Sequence, residues 1–360
     1  MNSADSFSAS YDEARAKFLA AAKDARGALE RVVHPERGPS GQELSTDVAW
    51  FGAREAERVL VMISGTHGVE GYCGSGAQVD WLRRGELARV PAGVGVLMIH
   101  AMNPYGFAWN RRVTHENVDL NRNWIDFEKP LPRNAGYGEL HELMCPEEWT
   151  AASQQRTLGA LMQWVQTHGM VAMQAAVSGG QYTHSKGLFY GGTGPTWSRR
   201  TQTQIFGSYL GGAKRVGIID YHTGLGPWGY GEQIIPVARE SEQFVRAARW
   251  YGGAVTSPAS GNSTSADVSG DGLSAAAGLL PQAEVTGVAM EFGTLETMVV
   301  LQALRADNWL HAYGDVRSAE AAAIKKQIRD AFYGDADDWK GMVAGQSLLA
   351  TRQALAGLSL

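Results

Sequence analysis

Apolar residues along the chain come in two rhythms. Short unbroken runs rich in Val, Ile, Leu and Met fall at residues 59–63, 94–100, 216–221, 233–237 and 285–291. Between them lie longer stretches whose apolar positions recur at helical spacing, about residues 11–26, 76–84, 146–168, 241–250, 295–307 and 318–332. Unbroken apolar runs belong to strands buried on both faces, and their alternation with helices predicts an α/β protein with a mixed, mostly parallel sheet flanked by helices. Residues 252–278, GGAVTSPASGNSTSADVSGDGLSAAAG, break the alternation with Gly, Ser and Ala and read as a long mobile loop over the active face. The segment after that loop is too short for a second domain. The chain is therefore expected to be one domain over 1–360, with a core at about 40–335 and a helical tail at 336–360.

Composition narrows the function. The chain has 360 residues, 44% of them hydrophobic, 19% charged, and a net charge of −5. No cluster of Lys and Arg runs along a face, so nucleic acid and anionic membrane are not expected partners. No apolar window approaches the 18 residues or so that a spanning helix needs. The opening residues carry acids where a signal peptide would carry an apolar segment. Two cysteines, Cys73 and Cys145, are too few for a disulfide framework and suit a reducing compartment, so a cytoplasmic location is expected.

The chemistry begins where the first strand stops. The run Val59-Leu60-Val61-Met62 leads directly into Ile63-Ser64-Gly65-Thr66-His67-Gly68-Val69-Glu70-Gly71. A turn alone needs neither the imidazole nor the carboxylate, although a His-x-x-Glu pair by itself is a weak signal. Its company makes it specific. His222 stands just past the strand Ile218-Ile219-Asp220-Tyr221, and Glu291 ends the apolar run Val288-Ala289-Met290. In open α/β sheets the carboxyl ends of strands line the ligand crevice. Two imidazoles and one carboxylate suit a catalytic zinc, which keeps its fourth position open. A further, unligated carboxylate is then needed to accept a proton from water, a role that fits Glu291.

Between these positions lie Asn103-Pro104-Tyr105-Gly106-Phe107, Arg111-Arg112 and Asp119-Leu120-Asn121-Arg122-Asn123. Taken in order, His-x-x-Glu, Asn-Pro-x-Gly, Asp-x-Asn-Arg-Asn, a distant His and a late Glu resemble the zinc carboxypeptidases of the carboxypeptidase A type, over about residues 55–295. The forms Asn-Pro-Tyr-Gly-Phe, Gln-Tyr-x-His, Phe-Tyr-Gly-Gly and Glu-Phe-Gly-Thr are similar to a bacterial branch, domain of unknown function 2817. The resemblance implies helices around a mixed sheet of about eight strands, one zinc ion per chain and hydrolysis of an amide bond. It assigns His67, Glu70 and His222 as zinc ligands, Asp119 as the partner that orients His67, and Glu291 as general base. It also assigns Asn121 and Arg122 to a substrate's terminal carboxylate, and Arg112, with Arg111 as alternative, to the scissile carbonyl.

Some features stand apart from that pattern. Asn-Pro-Asp-Gly of the family is Asn-Pro-Tyr-Gly here. The substrate-capping tyrosine has three candidates, Tyr182, Tyr190 and Tyr230, and core packing is the simpler reading of each. Residues 180–192 are expected to line the substrate side, with Tyr182 among the binding residues and His184 a polar contact rather than a second-metal ligand. The substrate is expected to be a peptide or small molecule with a free carboxylate. A peptide carboxypeptidase, an N-acyl amino acid deacylase of the succinylglutamate desuccinylase and aspartoacylase kind, and a metal-free carboxylate-binding protein all stay open, as does the oligomeric state. A phosphate-binding loop, a dinucleotide fingerprint and a His-Glu-x-x-His zinc motif are absent. Cys73 carries no sign of activation as a nucleophile.

Overall fold

The computed structural model describes residues 2–360. One seven-stranded sheet organises the chain: β1 (Ala28–Arg37), β2 (Glu43–Phe51), β3 (Arg58–Ile63), β4 (Val94–His100), β5 (Arg215–Trp228), β6 (Gly231–Ile234) and β7 (Glu284–Gly293). Their spatial order is β1-β2-β4-β3-β5-β7-β6. The central four, β4, β3, β5 and β7, are mutually parallel, and β1, β2 and β6 complete the edges antiparallel. The sheet thus has seven strands rather than about eight, and its parallel part is confined to the middle.

Burial explains the unbroken apolar runs. Along β3, Leu60 and Met62 enter the core on one face while Val59, Val61 and Ile63 enter the core on the other. Alternate side chains of a strand point to opposite faces, so a strand covered on both sides must be apolar throughout. Helices supply the covers. In Tyr11–Asp24 the buried positions Tyr11, Ala14, Phe18, Ala21 and Ala22 form one stripe, and the Ser10 hydroxyl caps the amide of Glu13 at 3.2 Å. The C-terminal helix Asp337–Leu358 is built into the same core through Trp339, Val343, Ala350, Ala354 and Leu358. No described helix is long and apolar enough to cross a membrane.

The topology fixes where a site can form. From β3 the chain crosses to β4 on one side and later returns to β5 on the other, so the strand order reverses at β3. The crevice beyond the carboxyl ends of β3 and β5 is the topological switch point at which α/β sheets take ligands. Residues 252–278 run from the sheet edge, where Thr256 bridges to Ile234, to the block carrying Arg122, where Gly270 packs on the Arg122 carbonyl. They are held by contacts of their own, with a short helix, Gly272–Leu279, capped by Asp271 at 2.8 Å.

Candidate metal centre

His67 and Glu70 reach the crevice from the turn after β3, and that turn depends on a close backbone approach. A Cβ on Gly68 would stand 2.0 Å from the carbonyl carbon of Gly106. The amides of Gly68 and Val69 donate to the carbonyls of Arg112 and Arg111 at 3.0 and 2.8 Å. One helical turn at Gly68–Glu70 then swings Glu70 to the same side as His67 before the helix Gly71–Arg83 begins. His222 comes from β5, where it is paired in register with Glu291 of β7.

These elements bring His67 Nδ1, a Glu70 carboxylate oxygen and His222 Nδ1 together, all three residues buried. His67 Nδ1 lies 3.1 Å from Glu70 Oε1, His222 Nδ1 3.1 Å from Glu70 Oε2, and the two Nδ1 atoms are 3.2 Å apart. Donors about 2.0–2.1 Å from a tetrahedral zinc would be roughly 3.3–3.4 Å from one another. The two Nδ1 atoms are near that spacing, and Glu70 meets each histidine with a different oxygen, one atom from each residue lying within 4.8 Å of the others. His67 Nε2 lies 3.0 Å from Asp119 Oδ1 and 3.0 Å from the donor Nη2 of Arg112; with its ring proton given to Asp119, the Nδ1 lone pair faces the centre. Two lone pairs 3.2 Å apart repel unless a cation or proton stands between them. In keeping with this, burial disfavours a charged His222, but the carboxylates of Asp220 and Glu70 outweigh burial and raise its pKa well above the ordinary value. The donor set therefore fits a divalent cation.

Around the trio the charges are arranged in layers. Burial opposes ionisation of Glu70, yet His67, His222 and Arg112 hold its carboxyl well below the usual carboxylate range. Arg112 donates from Nε to Asp119 at 2.9 Å and from Nη1 to Glu70 at 2.8 Å, so its guanidinium is tied to the donor set. Glu291 stands outside it: its Oε1 accepts the amide of Leu225 at 3.1 Å, and burial, then the charge of Glu70, push its carboxyl upward. A carboxyl raised by its surroundings beside a set of cation donors is suited to taking and returning a proton.

Arg122 is buried, and no carboxylate lies within 4.0 Å of its guanidinium among the described residues. Its Nη1 donates to the carbonyl of Asn121 at 2.7 Å, its Nη2 to that of Ser178, and its Nε has no partner. The ring of Phe189 lies 5.7 Å from the guanidinium carbon. Asn121 accepts the amide of Gly272 at 3.2 Å, which ties the loop 252–278 to this block. Burial lowers its pKa, even though Asp119 and Asp271 offset its charge from beyond ion-pair distance. A buried cation with no carboxylate in direct contact is costly, and it is the feature a carboxylate-binding site would need.

Other expected positions are placed elsewhere. Arg111 is turned away from the donor trio and paired with Asp307 at 3.2 Å and Asn117 at 3.0 Å. The Tyr182 hydroxyl donates to the carbonyl of Arg122 at 2.6 Å, which makes it a brace for that residue. Tyr190 is buried, and its carbonyl accepts the amide of Asp119. Tyr230 is half exposed on the β5–β6 turn. His184 stacks on His141 at 3.9 Å between centroids. Cys73 is buried, and burial pushes its thiol up, away from a reactive thiolate. Sequence reasoning missed Asp220 and Thr66: the alternation in Asp220-Tyr221-His222 places Asp220 on the His222 face, but nothing along the chain showed that Thr66 would reach it.

The family model described as protein of unknown function (DUF2817) matches residues 7–346. Among solved structures, bovine thrombin-activatable fibrinolysis inhibitor, in a complex with tick carboxypeptidase inhibitor, aligns at a TM-score of 0.51 and 10% identity, covering 98% of this chain and 97% of that one. Carboxypeptidase A from Helicoverpa armigera aligns at a TM-score of 0.46 and 11% identity, covering 90% and 74%. Murein-tripeptide amidase from Escherichia coli O157 aligns at 0.34 and 17% identity, covering 82% and 94%. No curated protein matches the chain. At these identities the first alignment shows a shared fold.

Proposed function

Since the chain belongs to the DUF2817 family, whose description assigns no activity, we propose from the site itself that it is a zinc-dependent hydrolase of an amide bond next to a free carboxylate. The observation that carries this reading is the buried trio His67, Glu70 and His222, of a size that suits a cation, with the carboxyl of Glu291 in register with His222. One zinc per chain would be held by His67 Nδ1, Glu70 and His222 Nδ1. When bound, it would supply Lewis acidity, drawing electron density from a carbonyl oxygen and making water easier to deprotonate.

The protein's own groups account for the rest. Glu291 takes a proton from the attacking water and returns it to the leaving nitrogen. The amide of Leu225 fixes one of its oxygens, so the other is free for the transfer. Arg122, assisted by Asn121, grips the substrate's carboxylate and sets the distance from that anchor to the scissile carbonyl. Arg112 steadies Glu70 and Asp119 and places positive charge beside the oxygen on which negative charge develops. Peptides with a free C-terminus and N-acyl amino acids both meet these requirements. A panel of the two classes, tested with zinc-loaded protein, separates them. Turnover of neither, with metal bound, would overturn the hydrolase reading in favour of a carboxylate-binding protein.

A further inference from the structure

The two histidines of the trio are steadied by different means. His67 is reached by Asp119 from another segment, whereas His222 has a carboxylate on its own strand. Asp220 lies two positions earlier on β5, and residues i and i+2 of a strand share a face. Asp220 is buried, and its Oδ2 stands 3.0 Å from His222 Nε2. That approach is close but off the line of a hydrogen bond, and Nε2 has no other partner. The same carboxylate accepts the Thr66 hydroxyl, at 2.8 Å to Oδ1 and 3.0 Å to Oδ2. Thr66 immediately precedes His67, and Asp220 is in register with Ile63 at the end of β3. One carboxylate therefore touches the outer nitrogen of one histidine and the segment that carries the other.

We propose that Asp220 is a positioning residue of the metal centre: its carboxylate, 3.0 Å from His222 Nε2, holds the ring proton on that nitrogen by its charge, which keeps the Nδ1 lone pair facing His67 and Glu70, and through Thr66 it locks the turn after β3 to β5. This rests on the metal-site reading above. Each histidine then has its own carboxylate, Asp119 for His67 and Asp220 for His222. The two arms differ in that Asp220 also ties the turn that carries His67 to the strand that carries His222. An outer partner of this kind typically contributes about 10- to 100-fold to metal affinity.

The test is zinc affinity by competition with a chromogenic chelator, together with the visible spectrum of the cobalt-substituted protein, for wild type, Asp220→Asn and Thr66→Val. Asp220→Asn keeps the volume but removes the charge. It is expected to bind zinc about 10- to 100-fold more weakly and to shift the cobalt ligand-field bands, while the metal-free protein unfolds within a few degrees of wild type. Thr66→Val leaves Asp220 on His222 and is expected to weaken zinc by a smaller factor, roughly threefold to tenfold on the same scale. Wild-type affinity with an unchanged cobalt spectrum in Asp220→Asn would overturn the proposal while leaving the metal site standing. If Asp220→Asn does not fold, unchanged affinity in Thr66→Val overturns the lock. A wild-type protein that binds no zinc removes both this proposal and the reading beneath it.

Discussion

Replacing Arg122 tests how the substrate is held, and the structure sets the size of the effect. A guanidinium has five N–H donors. In Arg122 one is donated to Asn121 and one to Ser178, and the partnerless Nε–H is buried against Gly180, so one N–H on each of Nη1 and Nη2 is left for a ligand. That pair suffices for a bidentate grip on a carboxylate. Hydrogen bonds to charged groups contribute about 1.5–3 kcal/mol each, so the grip amounts to about 3–6 kcal/mol. At about 1.4 kcal/mol per factor of ten, that is roughly 10²–10⁴ in kcat/KM. The assay compares a free-acid substrate with its C-terminal amide, in wild type and in Arg122→Ala. Wild type should prefer the acid by at least about 10², and the preference should fall below about tenfold in the variant. Thermal unfolding of Arg122→Ala checks that releasing the carbonyls of Asn121 and Ser178 has not undone the fold. A wild type indifferent to amidation, or a variant that keeps the full preference, would show that Arg122 serves only those two carbonyls.

Glu291→Gln preserves shape but cannot accept a proton, so turnover should fall by about 10²–10⁴ with metal content unchanged by elemental analysis; loss of metal would make Glu291 a ligand. Gly68→Ala would drive a Cβ to 2.0 Å from the backbone carbon of Gly106, and urea unfolding should show a loss of about 3 kcal/mol or more; an unchanged midpoint would mean that the turn gives way freely. His100 is buried against Phe18, and burial lowers its pKa to about 3 from an unfolded value near 6.5. Between these values the unfolded chain binds the proton and the folded chain does not, so this residue's contribution to stability falls as pH drops below about 6.5, by about 2 kcal/mol at pH 5. Urea unfolding at pH 7 and pH 5, compared with His100→Gln, isolates that share, and an identical pH dependence in the two proteins would contradict it.

The middle of the sheet was legible because it is buried on both faces. β3, β4, β5 and β7 appear in the sequence as unbroken apolar runs, and His67, His222 and Glu291 stand out at or just past the ends of those runs, although β5 itself continues six residues beyond His222, to Trp228. The edge was not legible. β1 is almost wholly exposed and carries Pro35 and charged residues, as an edge strand can, so its pattern has no apolar face to detect. β2 hides Ser45, Thr46 and Asp47 in the interior, where Arg15 pairs with Asp47 and the carbonyl of Ala101 accepts the Thr46 hydroxyl. Those partners lie far away in sequence, so the segment reads as polar. The same reason separates the site residues. His67 and Glu70 share one turn and could be paired from spacing, whereas the attachment of Arg111 to Asp307, 196 residues on, exists only once the helix Thr297–Ala312 is packed. The loop 252–278 was recognisable by composition, but its ties to Asn121 and Glu232 were not.

The central claim is that His67, Glu70 and His222 form a metal centre, and its most direct test is metal stoichiometry. Protein reconstituted with excess zinc and desalted should retain close to one equivalent by elemental analysis, and His67→Ala and His222→Ala should each retain almost none while staying folded by circular dichroism. Wild-type protein that retains no zinc, or variants that retain as much as wild type, would contradict the account.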